Sequence, residues 1–480
     1  MKVEIIESSI ELRKAIQEEK FLSPGACVFV DIQYDYMFLS YIIGRDIKAV
    51  ATRLMDKTNQ ASISEVGKLI SSVTLILKSN PVLVTHDIKS TLKNYYKLCK
   101  VCCTSEVWDP VDNKENKSFI LDSKIFAGVF GSLQDEPVPS FCDFETYVKS
   151  RAEILKKIIL SSRNITDYYK NTIFDKSSYY INLNAISPII EMENKNIRIV
   201  DNGAVIKEVE PYFNLNGTYT GRTTSNTHAI SKEHRKLIEL DKGNSLFCFD
   251  YESGEVRVMA SLAGDEKLIG LFEQDKDVYE EFIGLFDTEE KIDRKTAKNT
   301  FLSIMNGITA SGLEKNLKLS KDASKQAIHN AKKLAPKSFQ FLDKIREEAV
   351  DPEKANDLVF VNQISQRQFQ INKREFKNDW EKKTAAVSFY LQGTLSDLKL
   401  IALSKIKKIL DLFNENNNGT SKAYLRFEIH DAIFVEIPTN IEELLLNKLL
   451  NDIKVAMEVI PSESMGDNKC KLKVNTTKIK

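Results

Sequence analysis

The chain has 480 residues, 42% apolar and 28% charged, and its 68 Lys and Arg balance 68 Asp and Glu. That length accommodates roughly two to four domains with real cores. No apolar run approaches membrane-spanning length and Met1 to Glu7 is no signal peptide, while a neutral balance excludes a globally basic protein. A nucleic-acid binder of this composition must therefore segregate its charge, because phosphate contacts supply most nonspecific affinity. Seven irregularly placed cysteines fit a reducing compartment. Cys99, Cys102 and Cys103 cluster, but no second ligand pair accompanies them to make a zinc site.

Ala26 to Ile32 reads as a buried strand ending near Asp31, and Pro81 to His86 repeats the pattern before an amphipathic helix through Tyr95. Phe119 to Phe130 begins strand-like and turns helical, so the first 150 residues predict a small α/β domain. Ala152 to Tyr180 is rich in helix formers and lysine. Leu246 to Phe249 is a short apolar run that reads as a buried strand, ending on Asp250. Val256, Met259, Ala260 and Ala263 then recur at helical spacing, with Gly264 placed as a C-cap. A carboxylate at the tip of a buried strand is held rigidly at a cleft and suits a metal ligand, although many strands end on Asp for turn chemistry alone.

Arg294 to Gly307 reads as a helix with Arg294, Lys298, Leu302 and Asn306 on one face and Ala297, Phe301 and Ile304 opposite. Cations at i and i+4 can clamp a polyphosphate, and they also make an ordinary solvated face. Leu319 to Val350 is lysine-studded and mostly helical, broken at Pro336. Leu358 to Ile371 is mixed, Glu381 to Leu403 is a further helix and Asn414 to Ser421 a polar loop. In Tyr424 to Ile437, two apolar strand halves flank His430-Asp431, as in a hairpin with a carboxylate at its bend. Lys469 to Lys480 ends as a basic edge strand.

The stretch Asp250-Tyr251-Glu252-Ser253-Gly254-Glu255-Val256-Arg257 resembles motif A of the family A DNA polymerases, Asp-Tyr-Ser-x-x-Glu-x-Arg, and His430-Asp431 resembles motif C. Gly217-Thr218-Tyr219-Thr220-Gly221-Arg222-Thr223-Thr224-Ser225 is similar to the family's Thr-x-Thr-Gly-Arg-x-Ser-Ser. Asp277-Val278-Tyr279 is similar to its Asp-x-His, and the Arg294 helix resembles motif B with both aromatics replaced, by Leu302 and Asn306. Gln392-Gly393-Thr394-Leu395-Ser396-Asp397 is similar to Gln-Gly-Thr-Ala-Ala-Asp. The resemblance is clear from Gly217 to Glu436 and weaker from Ala26 to Ile199.

It implies a multidomain α/β and α+β chain: an RNase H-like, 3′→5′ exonuclease-type α/β domain followed by a right-hand polymerase with an antiparallel palm and helical fingers. The expected limits are 1–150 for the exonuclease-like domain, 151–200 for a helical connector or minimal thumb, 201–265 for the first palm segment, 266–383 for the fingers and 384–480 for the second palm segment. The function implied is primer extension with dNTPs by two-metal nucleotidyl transfer. Asp250, Asp431 and the Tyr251 carbonyl would hold two Mg²⁺ ions, with Mn²⁺ able to substitute. Arg294 and Lys298 would hold the β- and γ-phosphates, and Lys298 would protonate the leaving group. Glu255 would block a 2′-hydroxyl, and Tyr279, Leu302 and Asn306 would complete the nucleotide site. Arg222, Thr220, Gln392, His430 and Arg257 would face primer–template DNA.

In the N-terminal domain, the family's Asp-x-Glu stands as Asp31-Ile32-Gln33, its Gly-His-Asn-x-x-x-Asp as Thr85 to Thr91, and its Tyr-x-x-x-Asp as Tyr147 to Arg151. Gln33, Thr91 and Arg151 cannot replace three carboxylates around two divalent ions, so proofreading is expected to be lost. Only Val200 to Gly217 separates the entry segment (Met192-Glu193, Ile197-Arg198-Ile199) from the Thr-Gly-Arg motif, too short for a helical thumb. Either the thumb is nearly deleted or Ala152 to Tyr180 replaces it, and both imply low processivity and leave a place for a processivity or replication partner. A small phage- or plasmid-type enzyme fits this pattern, acting in the cytoplasm at a nucleoid or at a viral or plasmid replication site. The rival readings are a catalytically silent DNA-binding or assembly protein and a single-subunit RNA polymerase-like enzyme, which lacks a gate Glu.

Overall fold

The computed structural model describes residues 3–6, 11, 14, 27–33, 36–43, 46–53, 68–75, 82–85, 87–101, 119–122 and 148, and 178–480 except 288–291, 354–357, 363, 372–375, 418–421 and 465–469. They fall into two compact units, residues 1–175 and 176–480.

In the first unit, strands β1 (Val3–Ile6), β2 (Cys27–Gln33), β3 (Tyr36–Ile43), β4 (Asp46–Arg53), β5 (Val82–Thr85) and β6 (Phe119–Asp122) form one sheet in the order β1-β4-β3-β2-β5-β6. β3 runs antiparallel to both neighbours, whereas β2, β5 and β6 are mutually parallel. Helix α1 (Ile88–Val101) follows β5, and its Asn94 amide donates to the Ile32 carbonyl at 3.0 Å. Val28, Phe29, Met37, Phe38 and Leu39 are buried, as alternating strands covered by helices require. His86, Cys102, Cys103, Tyr147 and Arg151 lie outside the described residues, as does most of Ala152 to Tyr180.

The second unit begins with α2 (Ser178–Asn184), α3 (Ile186–Glu193) and the hairpin of β7 (Ile197–Asp201) and β8 (Ala204–Val209). Asn202 and Gly203 turn that hairpin with positive φ, the pairing a tight two-residue turn demands. The described residues between Ile199 and Gly217 thus contain a hairpin and no helix. The short β9 (Phe213–Asn214), β10 (Thr224–Ser225) and α4 (Lys232–Arg235) lead to β11 (Asn244–Tyr251) and α5 (Gly254–Ala263). Gly264 ends α5 in the left-handed region, φ 57°, as its sequence position predicts.

A helical array follows: α6 (Glu266–Glu273), α7 (Val278–Ile283), α8 (Arg294–Met305), α9 (Ala310–Leu317), α10 (Lys321–Leu334) and α11 (Pro336–Glu348). Pro336 stands at the start of α11, where its missing N–H costs no helical bond, so the predicted break falls there. The stretch Leu358 to Ile371 contains the small hairpin of β12 (Val359–Val361) and β13 (Gln368–Gln370).

Helix α12 (Asp379–Asn416) is longer than predicted and runs into the stretch read as a polar loop. Leu410 and Phe413 extend its buried stripe, and the Asn414 amide ties its end to Ala423 through bonds of 2.8 and 2.9 Å. β14 (Tyr424–Ile429), β15 (Ala432–Pro438), α13 (Glu443–Ser464) and β16 (Val474–Lys478) complete the unit. The antiparallel sheet has the order β14-β15-β11-β16, which puts β11 between two partners and β16 at an edge.

Candidate active site

β11 carries Phe247 and Phe249 into the core and brings Asp250 to its end, paired in register with Ala432 on one side and Asn475 on the other. β14 and β15 pair as Ile429 with Ala432, leaving His430 and Asp431 as a two-residue bend. His430 takes a positive φ of 54°, which the first position of such a bend requires. Asp431 therefore sits one residue from the partner of Asp250, and two chain segments far apart in sequence present adjacent carboxylates. Asp250 is solvent-accessible, yet desolvation raises its pKa, and the charge of Asp431 raises it further. The charges of Lys298, Lys232 and Arg235 act on Asp250 in the opposite sense. The Tyr251 ring is buried and its hydroxyl donates to the Met457 carbonyl at 3.1 Å, which anchors the strand end.

After Tyr251 the chain turns through Ser253, φ 52°, into α5. Glu255 lies in the first turn, where its carboxylate accepts from the Arg222 guanidinium at 2.8 Å. The same guanidinium lies 3.7 Å from Asp431. Burial raises the pKa of Glu255; Arg222 lowers it, and Asp431 raises it. The structure thus brings Asp250, Asp431, Glu255, Arg222 and Lys298 together.

Arg222 stands on a turn that is held from behind. Gly221 has φ +81°, and a Cβ there would meet the Arg367 guanidinium at 2.2 Å. Arg367 donates to Asn216 at 2.6 Å and to both oxygens of Asp397 at 3.2 and 2.6 Å, and both members of this ion pair are buried. Ser396 donates to the Gly221 carbonyl at 3.1 Å, and a Cβ at Gly393 would meet the Thr220 carbonyl at 2.8 Å. The Gln392 to Asp397 stretch is therefore a socket for this turn. Gln392 itself is half-buried on α12. Two residues beyond Asp397 on α12, buried Lys399 pairs with Glu428 at 2.8 Å and donates to the His430 carbonyl at 2.8 Å, fixing the bend that carries Asp431.

Two histidines pack beside it at a tilt of 40°, His228 and His430, with centroids 4.9 Å apart. Burial, then His430, Lys399 and Arg222, hold the His228 pKa below its usual value. His430 is exposed, which leaves it available to a ligand.

Across from these bends, Arg294 and Lys298 lie exposed at the start of α8. Asp277 caps α7 through Tyr279 and Glu280 and accepts from Arg294 at 2.7 Å. Desolvation would raise the Asp277 pKa, but the Arg294 bond and the two backbone N–H groups hold it below the usual range. Leu302 is half-buried against the core, and the Asn306 amide turns back to the Leu302 carbonyl at 2.9 Å.

Three residues expected at the site are enclosed. Arg257 is 3% exposed; its guanidinium donates to the Glu252 and Lys471 carbonyls at 2.9 and 2.7 Å and lies 4.1 Å from the Phe272 ring, so it braces α5 instead of facing DNA. Thr220 is buried with its hydroxyl bonded to Thr218 at 2.8 Å, and it supports the turn from inside. The Tyr279 ring is 1% exposed, packs edge-on against Phe301 and lies 5.4 Å from the Arg294 guanidinium, so it supports that cation from within the helical array. Lys232, Arg235, Arg367 and Lys399 were not singled out from the sequence. A charged residue within the apolar run Leu398 to Leu403 was a readable sign only for Lys399.

A profile described as DNA polymerase family A matches residues 156–477. The chain is 28% identical over 259 residues to DNA polymerase I of Lactococcus lactis subsp. lactis, covering 50% of this chain and 28% of that protein. It is 26% identical over 264 residues to DNA polymerase I of Borreliella burgdorferi, covering 50% of this chain and 27% of that one. The chain thus spans little more than a quarter of the length of these curated relatives. Among solved structures, the polymerase domain of Pol1 from M. smegmatis, in complex with DNA primer-template and dNTP, is similar with a TM-score of 0.71. That likeness covers 99% of this chain and 98% of the other at 12% identity, and it is one of fold. With the profile matching well over half of its length, the chain belongs to DNA polymerase family A.

Proposed function

We propose that the chain is a template-directed DNA polymerase that extends a primer with dNTPs. The observation that carries this reading is the pairing of Asp250, at the end of β11, with Asp431, on the bend between β14 and β15, with the Lys298 charge acting on Asp250. Two carboxylates so close that one raises the pKa of the other favour a bound cation, and an oxygen-only donor set suits Mg²⁺, with Mn²⁺ as a substitute. Such ions would supply activation of the 3′-hydroxyl and neutralisation of the departing pyrophosphate. Asp250 and Asp431 would hold them, with the Tyr251 carbonyl as a further oxygen donor.

The remaining steps belong to the chain's own side chains. Arg294, oriented by Asp277, and Lys298 would clamp the β- and γ-phosphates, and the Lys298 ammonium would give its proton to the leaving pyrophosphate as the bond to the α-phosphorus breaks. Glu255 would close the space beside C2′ of the sugar. Arg222, His430 and Gln392 would lie along the primer–template, while Leu302 and Asn306 would present a smaller surface to the nascent base pair than the family's aromatics do. The enclosed positions of Arg257, Thr220 and Tyr279 give them supporting roles only.

For the first unit we infer a degenerate exonuclease-type domain. The mixed sheet with antiparallel β3, the burial of Asp31 and Thr91, and the bond from the Ser90 N–H to Asp87 support it. A hairpin where a helical thumb would stand supports low processivity and the need for a partner that holds the duplex. Among the described residues no helix is long and apolar enough to cross a membrane.

Primer extension with dNTPs, with rNTPs and with chelated metal tests the reading. Extension with dNTPs that stops on chelation is expected. Duplex binding without extension would leave a silent DNA-binding protein, and equal use of rNTPs would favour an RNA polymerase-like enzyme.

A further inference from the structure

The Glu255 carboxylate has few means of staying where it is. It sits in the first turn of α5, where the charge of Asp431 repels it and that of Lys298 attracts it more weakly. At the end of α8, the residue that could reach toward the nucleotide is Asn306, and its amide is turned back onto the Leu302 carbonyl. The hydrogen bond that restrains Glu255 comes from Arg222, at 2.8 Å, and the same guanidinium lies 3.7 Å from Asp431. Arg222 in turn has little freedom. Its backbone N–H donates to the Thr218 hydroxyl at 3.1 Å, Gly221 before it is seated on Arg367, and Ser396 holds the Gly221 carbonyl.

We propose that Arg222 is the positioning residue of the sugar gate: its guanidinium, braced by the Arg367–Asp397 socket, fixes the Glu255 carboxylate and so sets discrimination between deoxyribonucleotides and ribonucleotides. The inference rests on the reading of Glu255 as the gate. The Nη2 group of this planar fork makes both approaches, and a guanidinium anchored from behind holds that nitrogen between the two carboxylates better than a flexible ammonium would. Without that fork, Glu255 is left beside a like charge, turns away from it and opens the space that a 2′-hydroxyl would fill. A residue whose only task is contact with the primer would lower kcat/KM for both sugars alike, so the ratio of the two separates the roles.

The experiment measures kcat/KM for one dNTP and its matching rNTP on a fixed primer–template. The proteins are the unmodified full chain, Arg222→Lys, Arg222→Ala, Glu255→Ala and the double variant Arg222→Ala/Glu255→Ala. Arg222→Ala should lower the dNTP/rNTP ratio roughly tenfold to a hundredfold, and Arg222→Lys by a smaller factor. In the Glu255→Ala background, removal of Arg222 should leave the ratio unchanged, because its effect acts through the carboxylate. A ratio that falls for Glu255→Ala but is untouched by both Arg222 variants overturns the inference and keeps the gate. A ratio untouched by Glu255→Ala overturns both. Equal further losses in the double variant would assign Arg222 an independent contact with the sugar and overturn the positioning role. Should Arg222→Ala be too weakly active to measure, the Arg222→Lys ratio, alone and with Glu255→Ala, decides the same question.

Discussion

Arg367→Met removes a guanidinium that is 1% exposed and leaves Asp397, at 0% exposure, without its bidentate partner. The lost bonds are those of 3.2 and 2.6 Å to Asp397 and 2.6 Å to Asn216. Among the described residues, Asp397 then keeps the Ser178 hydroxyl, at 3.4 Å. Removing one member of a buried pair typically costs about 3–5 kcal/mol, because the remaining charge is uncompensated. At about 2 °C per kcal/mol for a large domain, the unfolding transition of the second unit should fall by about 6–10 °C in calorimetry of the full chain. The double variant Arg367→Met/Asp397→Leu should recover much of that loss, since apolar groups of similar volume often replace a buried pair at little cost. Extension should stay impaired in the double variant, because the Thr218 to Arg222 turn would still lack its brace. A single variant within about 1 kcal/mol of the parent would refute the uncompensated-charge argument, and a double variant no better than the single would assign the loss to packing against Gly221.

Asp250→Asn and Asp431→Asn, each removing one anionic ligand at nearly constant volume, should abolish primer extension while leaving the melting temperature and duplex binding largely intact. Near-parental rates in either would refute the metal assignment. Gly393→Ala gains about 1 kcal/mol of helix propensity but drives a methyl to 2.8 Å from the Thr220 carbonyl, so extension should fall about tenfold or more without a matching rise in stability. A variant stabilised by the full amount and equally active would show that the contact yields freely. The purified chain with Mg²⁺ or Mn²⁺ should leave a mismatched 3′ end undegraded; shortening that vanishes on Asp31→Ala would restore a working exonuclease. In extension under excess trap DNA, products of a few nucleotides are expected, and long products from the chain alone would contradict low processivity.

The two carboxylate-bearing bends were legible because each breaks an apolar strand at a fixed place, as Leu246 to Phe249 before Asp250 and Ile429 before His430 show. Pro336 and Gly264 marked helix limits by the same local chemistry. The Asn202-Gly203 pair carries a hairpin signal of the same local kind, with positive φ at both positions. What escaped was tertiary. Nothing in the order of residues ties Arg222 to Glu255 or Arg367 to Asp397, pairs separated by 33 and 30 positions. The motif pattern placed Arg257 toward DNA, but Val256, Arg257, Val258, Met259 and Ala260 are all buried, so the middle of α5 lacks the polar face that a binding arginine needs.

Helix α12 links several of these parts, and its mechanics follow from where it is fastened. Ser396 and Lys399, in its buried middle, hold the two bends that carry Arg222 and Asp431. Thr384, near its start, donates to the Asn306 carbonyl at 3.3 Å, at the far end of α8. From Ser396 to Thr384 is about 18 Å of helix at 1.5 Å per residue. A rigid rod pinned at its middle behaves as a lever: a tilt of about 10° there shifts the Thr384 end by about 3 Å, a displacement worked from that rise. The same tilt leaves the fulcrum still, so α8 can travel by about the length of a hydrogen bond while the paired carboxylates keep their spacing.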